Sequence, residues 1–430
     1  MQTSAATWLF ATALLLSIAL RFWLAGRQIR HVAAHRSQVP AAFSASVSAE
    51  SHRRAADYTL AKARLGLVTG AFGAALLIVW TLLGGLDLLA AGLREALLPR
   101  LPGASGEMAY QLALLGSFVA IGSLLELPFD LYATFGIEQR FGFNRMTWRL
   151  YATDALKSAL VGLAIGLPLA ALVLWLMKIA GPTWWLWAWC AWIGLNLLLL
   201  VLYPTLIAPW FNRFDPLDDS TLRSRVDALM ARCGFSVKGF YVMNGSRRSA
   251  HANAYFTGLG RAKRVVFFDT LLAKLTPAEV EAVLAHELGH FSHRHVVKRI
   301  GLMALLSLAG FALLGYLSHH SGFYTALGVE PSLAAPNDAL ALLLFVLVAP
   351  TFGFYLSPLF AALSRRQEFE ADAYACAHAD GRSLAGALLK LHEDNASTLT
   401  PDPLYSRFYY SHPAPVERLA ALRPGALRPA

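Results

Sequence analysis

Long uninterrupted apolar segments constrain the fold of this chain more than any other feature of its sequence. Hydrophobic residues fill 56% of its 430 positions and charged residues only 15%, and the apolar residues do not follow the periodic pattern of soluble helices. A segment of about 20 residues crosses the hydrocarbon core of a bilayer. Segments of about that length lie at residues 5–25, 65–86, 109–129, 159–177, 184–206, 300–317 and 339–363. The sequence therefore predicts a mainly α-helical, multi-pass membrane protein with about seven transmembrane helices.

The placement of Lys and Arg predicts the orientation of these spans. If the N-terminus lies outside, the predicted outer loops and their borders contain only Arg94, Arg100 and Lys178, whereas the short first and third loops are rich in basic residues. Cytoplasmic loops carry the excess of Lys and Arg, so we expect an outside N-terminus and a cytoplasmic C-terminus. No basic residue precedes the first span, unlike a secretory signal, and we expect that span to be a retained anchor. The Ala-, Leu- and Arg-rich composition is typical of bacteria and predicts the inner membrane.

The one-sided placement of Lys and Arg also explains the basic net charge of the chain. A charge of +10 would suit a nucleic-acid-binding protein, but its one-sided placement is typical of a membrane protein. We therefore expect the lipid bilayer as a partner and no nucleic acid. The three cysteines are widely spaced and indicate neither a disulfide framework nor a cysteine zinc site.

The polar residues divide the chain into four regions. We expect five spans over residues 1–211, a polar segment over 212–299, two spans over 300–363 and a polar C-terminal segment over 364–430. Short apolar runs at 239–243, 254–259 and 264–269 predict small strands, so the polar part should be an α+β region on the cytoplasmic side. A helix should begin at a capping box formed by Thr276 and Glu279. No Pro or Gly stops that helix before Ile300, which predicts that it continues directly into the sixth span.

The stretch His286-Glu287-Leu288-Gly289-His290 lies within this predicted helix. Histidines four residues apart share one helix face and can bind one zinc ion. The adjacent Glu287 can then reach a water at the metal and act as general base. The alternative is a surface helix with two solvated histidines. His293 lies too far along the helix to join the site, and no role follows for His295.

A catalytic zinc needs a third protein ligand and one open position, and the run after the seventh span supplies a carboxylate. In Ser364-Arg-Arg-Gln-Glu-Phe-Glu-Ala-Asp372, Glu368 and Asp372 share one helix face while Glu370 points elsewhere. We expect Glu368 to be the third ligand. Asp372 should accept a hydrogen bond from a ligating histidine and fix its tautomer. An ordinary charged face near a membrane is the alternative interpretation of this run.

The two stretches HELGH and SRRQEFEAD, separated by a hydrophobic span, resemble the gluzincin-type integral-membrane metalloproteases. The similarity is to the CAAX prenyl protease 1 family, the type I CAAX endopeptidases. It extends to PFDLYATFGIEQRFGFN at 128–144, SAHANAYFTG at 249–258, VVFFDTLL at 265–272 and YSRFYYSHPAPVERL at 405–419. The resemblance therefore covers most of the chain.

This resemblance implies a fold and further site residues. The spans would enclose a chamber, and Asn253, Ala254 and Tyr255 would lie on an edge strand that pairs with the substrate backbone. His412 would donate to the carbonyl oxygen as negative charge develops there, and Arg418 would bind the substrate or its C-terminal carboxylate.

The function implied is that of a zinc metalloendopeptidase with one Zn²⁺ ion, cleaving peptide bonds near the C-terminus of prenylated CAAX-type substrates. One alternative is a membrane quality-control protease that acts on non-prenylated proteins. Another is a non-catalytic channel or transporter with a structural metal, which leaves Glu287 unexplained.

Overall fold

The computed structural model describes residues 4–101, 103–235, 239–257, 264–333 and 335–422. Within them the helices are α1 Ala5–Ala34, α2 Ala49–Trp80, α3 Gly85–Leu97, α4 Ala104–Leu131, α5 Trp148–Ile179, α6 Trp184–Leu202, α7 Ala208–Phe211, α8 Ser220–Arg232, α9 Asp269–Leu272, α10 Pro277–Ser292, α11 His295–Leu317, α12 Ser321–Ala326, α13 Asp338–Gly353, α14 Ser357–His378, α15 Gly381–Asp394, α16 Pro403–Tyr409 and α17 Pro415–Ala421. The strands are β1 Phe214–Pro216, β2 Gly239–Met243, β3 Ala254–Thr257 and β4 Arg264–Phe268.

Seven helical stretches in this described part are long and apolar enough to cross a membrane. The predicted fold class, a multi-pass helical protein with a small α+β region, is thus confirmed. The predicted span at 65–86 extends too far, because α2 ends at Trp80. Gly84, which precedes the separate helix α3, has a φ of 76°, a left-handed conformation that glycine adopts without steric cost.

The seventh span continues beyond its apolar part. Helix α13 leads through a short 3₁₀ turn at Phe354–Leu356 into α14, and together they form one helical stretch, Asp338–His378. Its apolar first half belongs to the membrane region, whereas its second half carries Glu368 and Asp372. The seventh span therefore brings the predicted third ligand to the polar region.

Within its described residues, the polar region contains one mixed four-stranded sheet with the order β1-β2-β4-β3. β2 and β4 are parallel, and the other two pairs are antiparallel. Among the strands that the structure describes, β3 pairs with β4 alone, which makes it an edge strand. The predicted strand at 254–259 corresponds to β3, while residues 258 and 259 lie outside the described residues. Buried side chains of the sheet and of α8 and α10, including Phe267, Leu229 and Leu284, form one core beneath it.

Helix α10 begins as predicted but ends earlier than predicted. The Thr276 side chain accepts from the Glu279 backbone N–H while the Glu279 carboxylate accepts from the Thr276 backbone N–H. The predicted continuation into the sixth span is wrong: the helix ends at Ser292, and Arg294 has a φ of 57° before α11 begins at His295. A left-handed arginine is locally unfavourable, so tertiary contacts must stabilise this break. Those contacts involve His295.

Candidate metal centre

Three predicted ligands meet where α10 packs against α14. The ligand atoms of His286, His290 and Glu368 all lie within 4.8 Å of one another. The two Nε2 atoms are 3.3 Å apart, and the Glu368 carboxylate oxygens lie 3.5 Å from the His286 Nε2 and 3.4 Å from the His290 Nε2. Two imidazole nitrogens and one carboxylate are a donor set of catalytic zinc sites, which keep one further position open.

Gly289 allows this close approach of the two helices. A Cβ atom at this position would lie 2.9 Å from the Ala371 Cα and 3.0 Å from the Tyr374 Cβ. No side chain fits there without moving α10 away from α14. The glycine within HELGH therefore helps to bring both histidines within reach of Glu368.

The hydrogen bonds around His286 and His290 indicate that their Nε2 atoms, which face each other, carry no protons. The His286 Nδ1 lies 2.8 Å from the Asp372 carboxylate, so it carries a proton and donates it. The His290 Nδ1 lies 2.9 Å from the His295 Nδ1, and the His295 Nε2 lies 2.9 Å from the Glu370 carboxylate. Neutral imidazole has only one N–H, which makes His295 an acceptor from His290. In these tautomers both ligand Nε2 atoms present lone pairs to each other.

A cation satisfies this arrangement. The buried Oε2 of Glu368 has no hydrogen-bond partner among the described residues, and it faces the His286 Nε2. The Arg418 Nη2, 3.5 Å from this oxygen, offsets part of the negative charge. A cation among the three ligand groups would offset the remaining repulsion between the two lone pairs and the carboxylate. The residues present therefore fit a divalent metal ion.

Without a metal ion, a proton on His286 supplies part of the positive charge. Burial lowers the pKa of His286, but hydrogen bonds to Asp372 and Glu368 outweigh burial and raise the pKa to about 9. A metal ligand must be the neutral imidazole, so metal binding to this site displaces a proton.

Glu287 borders a small cavity beside the ligands. The cavity has a volume of about 130 Å³ and is also lined by Asn253, Ala254, Glu368 and Arg418. Burial raises the pKa of the Glu287 carboxyl, although the nearby histidines act in the opposite direction. A pKa above the ordinary value suits a general base that works near neutral pH.

Asp372 and Arg418 form a buried ion pair behind His286. The Arg418 Nε and Nη2 each donate to the Asp372 carboxylate at 2.7 Å, and the arginine side chain is only 8% exposed. Asp372 thus accepts from both His286 and Arg418. The predicted substrate-binding role of Arg418 stays a prediction; the arginine lines the small cavity, but its main partner is Asp372.

Most of the other predicted site residues lie around the same cavity. The His412 Nε2 is 3.5 Å from the Glu368 carboxylate, and the His412 side chain is 65% exposed. Asn253 immediately precedes the edge strand β3, which begins at Ala254, and the ring of Tyr255 packs edge-on against Phe268. Asn253, Ala254 and His412 line the small cavity beside the metal site, whereas Tyr255 does not line it. The roles of all four residues stay predictions.

Two residues near the site, His295 and Glu370, were not assigned a role from the sequence. His295 is 2% exposed and bridges the ligand His290 to Glu370, which also accepts from Arg366 at 3.0 Å. Glu370 does point away from the metal ligands, but it acts on them through His295. This contact exists only because the chain breaks at Arg294, and helical periodicity gives no sign of that break.

We expect His295→Ala to weaken zinc binding by about 10–100-fold, the usual cost of removing a partner that orients a metal ligand. Competition with a chelator of known affinity measures the effect on the purified protein. His293→Ala is the matched control, because His293 is exposed and stacks on His295 without contacting a ligand. Equal zinc affinity in the two variants would contradict a positioning role for His295.

Two family models together match nearly the whole chain. The model described as the N-terminal part of CAAX prenyl proteases, with five membrane helices, matches residues 28–213. The model of peptidase family M48 matches residues 216–425.

Individual proteins show the same similarity over most of their length. The chain is 33% identical to CAAX prenyl protease 1 of Saccharomyces cerevisiae over 402 residues, which cover 90% of this chain and 88% of the yeast protein. It is 31% identical to the CAAX prenyl protease 1 homolog of Homo sapiens, with 96% and 95% covered. The crystal structure of S. mikatae Ste24p is similar with a TM-score of 0.88 at 29% identity, covering 98% of this chain and 100% of that one.

Proposed function

Because this chain belongs to peptidase family M48 and to the CAAX prenyl protease 1 family within it, we propose that it is a zinc endopeptidase acting on prenylated CAAX-type proteins. Family membership makes it a membrane-embedded metallopeptidase. Zinc as the metal and a prenylated substrate cleaved near its C-terminus are the proposed refinements. The observation that carries the proposal is the convergence of His286, His290 and Glu368 within 4.8 Å beside Glu287, which lines the same small cavity.

His286, His290 and Glu368 would hold the zinc ion. When bound, zinc polarises the scissile carbonyl and lowers the pKa of a water from about 15.7 toward about 7. The Glu287 carboxylate takes a proton from that water and later delivers it to the leaving amine nitrogen. No protein hydrogen bond engages this carboxylate in the described part of the chain, which supports its availability as a base.

The remaining residues would position the substrate. The free edge of β3, with Asn253, Ala254 and Tyr255, would pair with an extended peptide backbone. The His412 Nε2–H would donate to the carbonyl oxygen as negative charge develops. Arg418 would hold Asp372 in place and, from the wall of the small cavity, contact the substrate.

A larger cavity supports a lipid-modified substrate. It has a volume of about 1040 Å³, includes Asn253 and His412 in its wall, and reaches between α1 and α2 in the first two spans. A prenyl chain would remain in the apolar part while the peptide reaches the metal. In this proposal α1 and α2 of the region 1–211 form the membrane part of the cavity wall. The region 300–363 adds two further spans, and the regions 212–299 and 364–430 complete the cavity wall and supply the site.

We further propose that the site faces the cytoplasm and that the N-terminus lies outside. The C-terminal part of α1 contacts the segment near the site, since Arg27 pairs with Asp402 at 2.9 Å and Gln28 donates to the Tyr410 hydroxyl at 3.3 Å. The first loop, rich in Lys and Arg, is therefore on the same side as the metal site. For a bacterial protein, this membrane is the inner membrane.

Two versions of one CAAX peptide, farnesylated and unmodified, test the proposed substrate class. We expect the purified protein to cleave the farnesylated peptide with the higher kcat/KM, because only that peptide buries apolar surface in the large cavity. Mass spectrometry of the products measures both rates and the cleaved bond. Equal kcat/KM values would contradict a prenyl requirement and favour a quality-control protease for unmodified membrane proteins.

A further inference from the structure

Two basic side chains line the wall of the large cavity. They are Arg21 on α1 and Lys62 on α2, two helices that are long and apolar enough to cross a membrane. An ionisable side chain on such a helix is costly unless it faces water, an opposite charge or a ligand. The partners of these two cations therefore need an explanation.

Arg21 has no acidic partner in the described part of the chain. It is exposed, and the contact that holds it is a cation–π contact, with the guanidinium carbon 4.0 Å from the centroid of the Phe354 ring. That contact uses the face of the guanidinium and leaves the N–H donors at its edge free. Arg21 can thus donate two parallel hydrogen bonds to a planar oxyanion.

Lys62 is only weakly neutralised. Its side chain is 58% exposed, and its Nζ lies 3.9 Å from the Glu138 carboxylate. That carboxylate accepts from the Tyr58 hydroxyl at 2.5 Å and also faces the His251 ring at 3.4 Å. The Lys62 Nζ donates to the Tyr58 hydroxyl at 3.2 Å, which leaves two of its three N–H donors for the cavity.

Acidic side chains are missing from the cavity wall as far as the structure describes it. The charged lining residues are Arg21 and Lys62, and the polar ones are mainly tyrosines, histidines, serines and amides. Glu138 borders a neighbouring cavity, and Lys62 lines that cavity too, together with Glu126 and Asp130. The large cavity is thus electropositive, and an anionic ligand is the species that it would attract and hold.

We infer that Arg21 and Lys62 form a subsite for the free C-terminal carboxylate of the peptide substrate. The inference rests on the proposed function, in which the cleaved bond lies near the end of the substrate. A chain end a few residues beyond the cleaved bond lies up to about 10 Å from it, since an extended residue spans about 3.3–3.6 Å. The cavity extends from Asn253 and His412 beside the metal site to both cations without interruption.

Binding to the full-length Glu287→Gln protein tests the subsite without consuming the peptide. Two farnesylated CAAX peptides are compared, one with a free C-terminal carboxylate and one with a C-terminal amide. We expect the carboxylate peptide to bind about tenfold more tightly, as for hydrogen bonds to a charged group. In Arg21→Met and Lys62→Met the ratio of the two Kd values should fall toward one, whereas Lys62→Arg and Arg21→Lys, which keep the charge, should preserve most of it.

Arg64→Met is the matched control, since Arg64 is an exposed cation on α2 that does not line the cavity. An unchanged ratio in both methionine variants, or equal affinity of the two peptides for the parent protein, would overturn the inference. The ratio of the two Kd values is measured by binding alone, so its outcome does not depend on catalysis. If the protein with its natural Glu287 cleaves neither peptide, that result would instead contradict the proposed function.

Discussion

Glu287→Gln is expected to lower kcat/KM for peptide hydrolysis by about 10²–10⁴-fold, the range in which a positioned general base contributes. The amide has nearly the shape of the carboxylate but cannot accept a proton from water. Glu287 is not one of the three converging ligand side chains, so the variant should still bind one zinc ion per chain. Product mass spectrometry and elemental analysis of the same sample measure both quantities.

Two controls separate the base from the metal site. His286→Ala should lose both the metal and hydrolysis, because it removes one of the three ligands. Glu281→Gln should retain both, because Glu281 lies on the same helix but pairs with Arg225 and Arg232 away from the cavity. Hydrolysis by Glu287→Gln at the wild-type rate would show that another group acts as the base.

Arg418→Met should destabilise the protein strongly. The change leaves the Asp372 carboxylate, 1% exposed, with His286 as its remaining partner. Removing one side of a buried ion pair costs about 3–5 kcal/mol of unfolding free energy. Chemical denaturation of the detergent-solubilised protein, followed by a signal from the polar region, measures the change.

Arg225→Met is the control for this prediction. Arg225 pairs with Glu281 at 3.1 Å, and its side chain is 48% exposed. Because the arginine is half exposed and Glu281 keeps its second partner, Arg232 at 2.6 Å, this change should cost about 0–1 kcal/mol. If Arg418→Met were no more destabilising than Arg225→Met, the Arg418–Asp372 pair would not stabilise the site in the way that its burial indicates.

Local patterns were sufficient to predict the elements that carry the chemistry. The spacing of His286 and His290 depends only on helix geometry, and the capping box at Thr276 depends only on neighbouring residues. Hydropathy likewise identified the spans, since apolar length is the property that a bilayer selects. Each of these features is determined within one element, and the structure has each of these elements in place.

Features that depend on contacts between distant residues could not be predicted in the same way. The break at Arg294 opposes local preference and places His295 against His290 and Glu370. The parallel pairing of β2 with β4 joins strands separated by β3 in the chain. The partner of Arg418 lies 46 residues earlier in the sequence. Such contacts follow from packing and leave no periodic trace in the sequence.

Glu368 belongs partly to the predictable features and partly to the unpredictable ones. Its helical run is visible in the sequence, but its distance from His286 depends on the close packing of α10 and α14 at Gly289. The sequence supplied a suitable carboxylate, and the packing of the two helices brings it to the histidines. The metal site is therefore partly a local motif and partly a product of the tertiary fold.

The measurement that tests the central claim most directly is mass spectrometry of the products formed from a farnesylated CAAX peptide by the purified protein. It is made before metal chelation, after chelation, and after zinc is added back. We predict cleavage at one bond near the C-terminus, its loss on chelation, and its return with about one zinc ion per chain, the number that a single catalytic site of this type binds. Cleavage that persists in the fully chelated protein, or no cleavage in the zinc-loaded protein, would contradict a zinc endopeptidase centred on His286, His290 and Glu368.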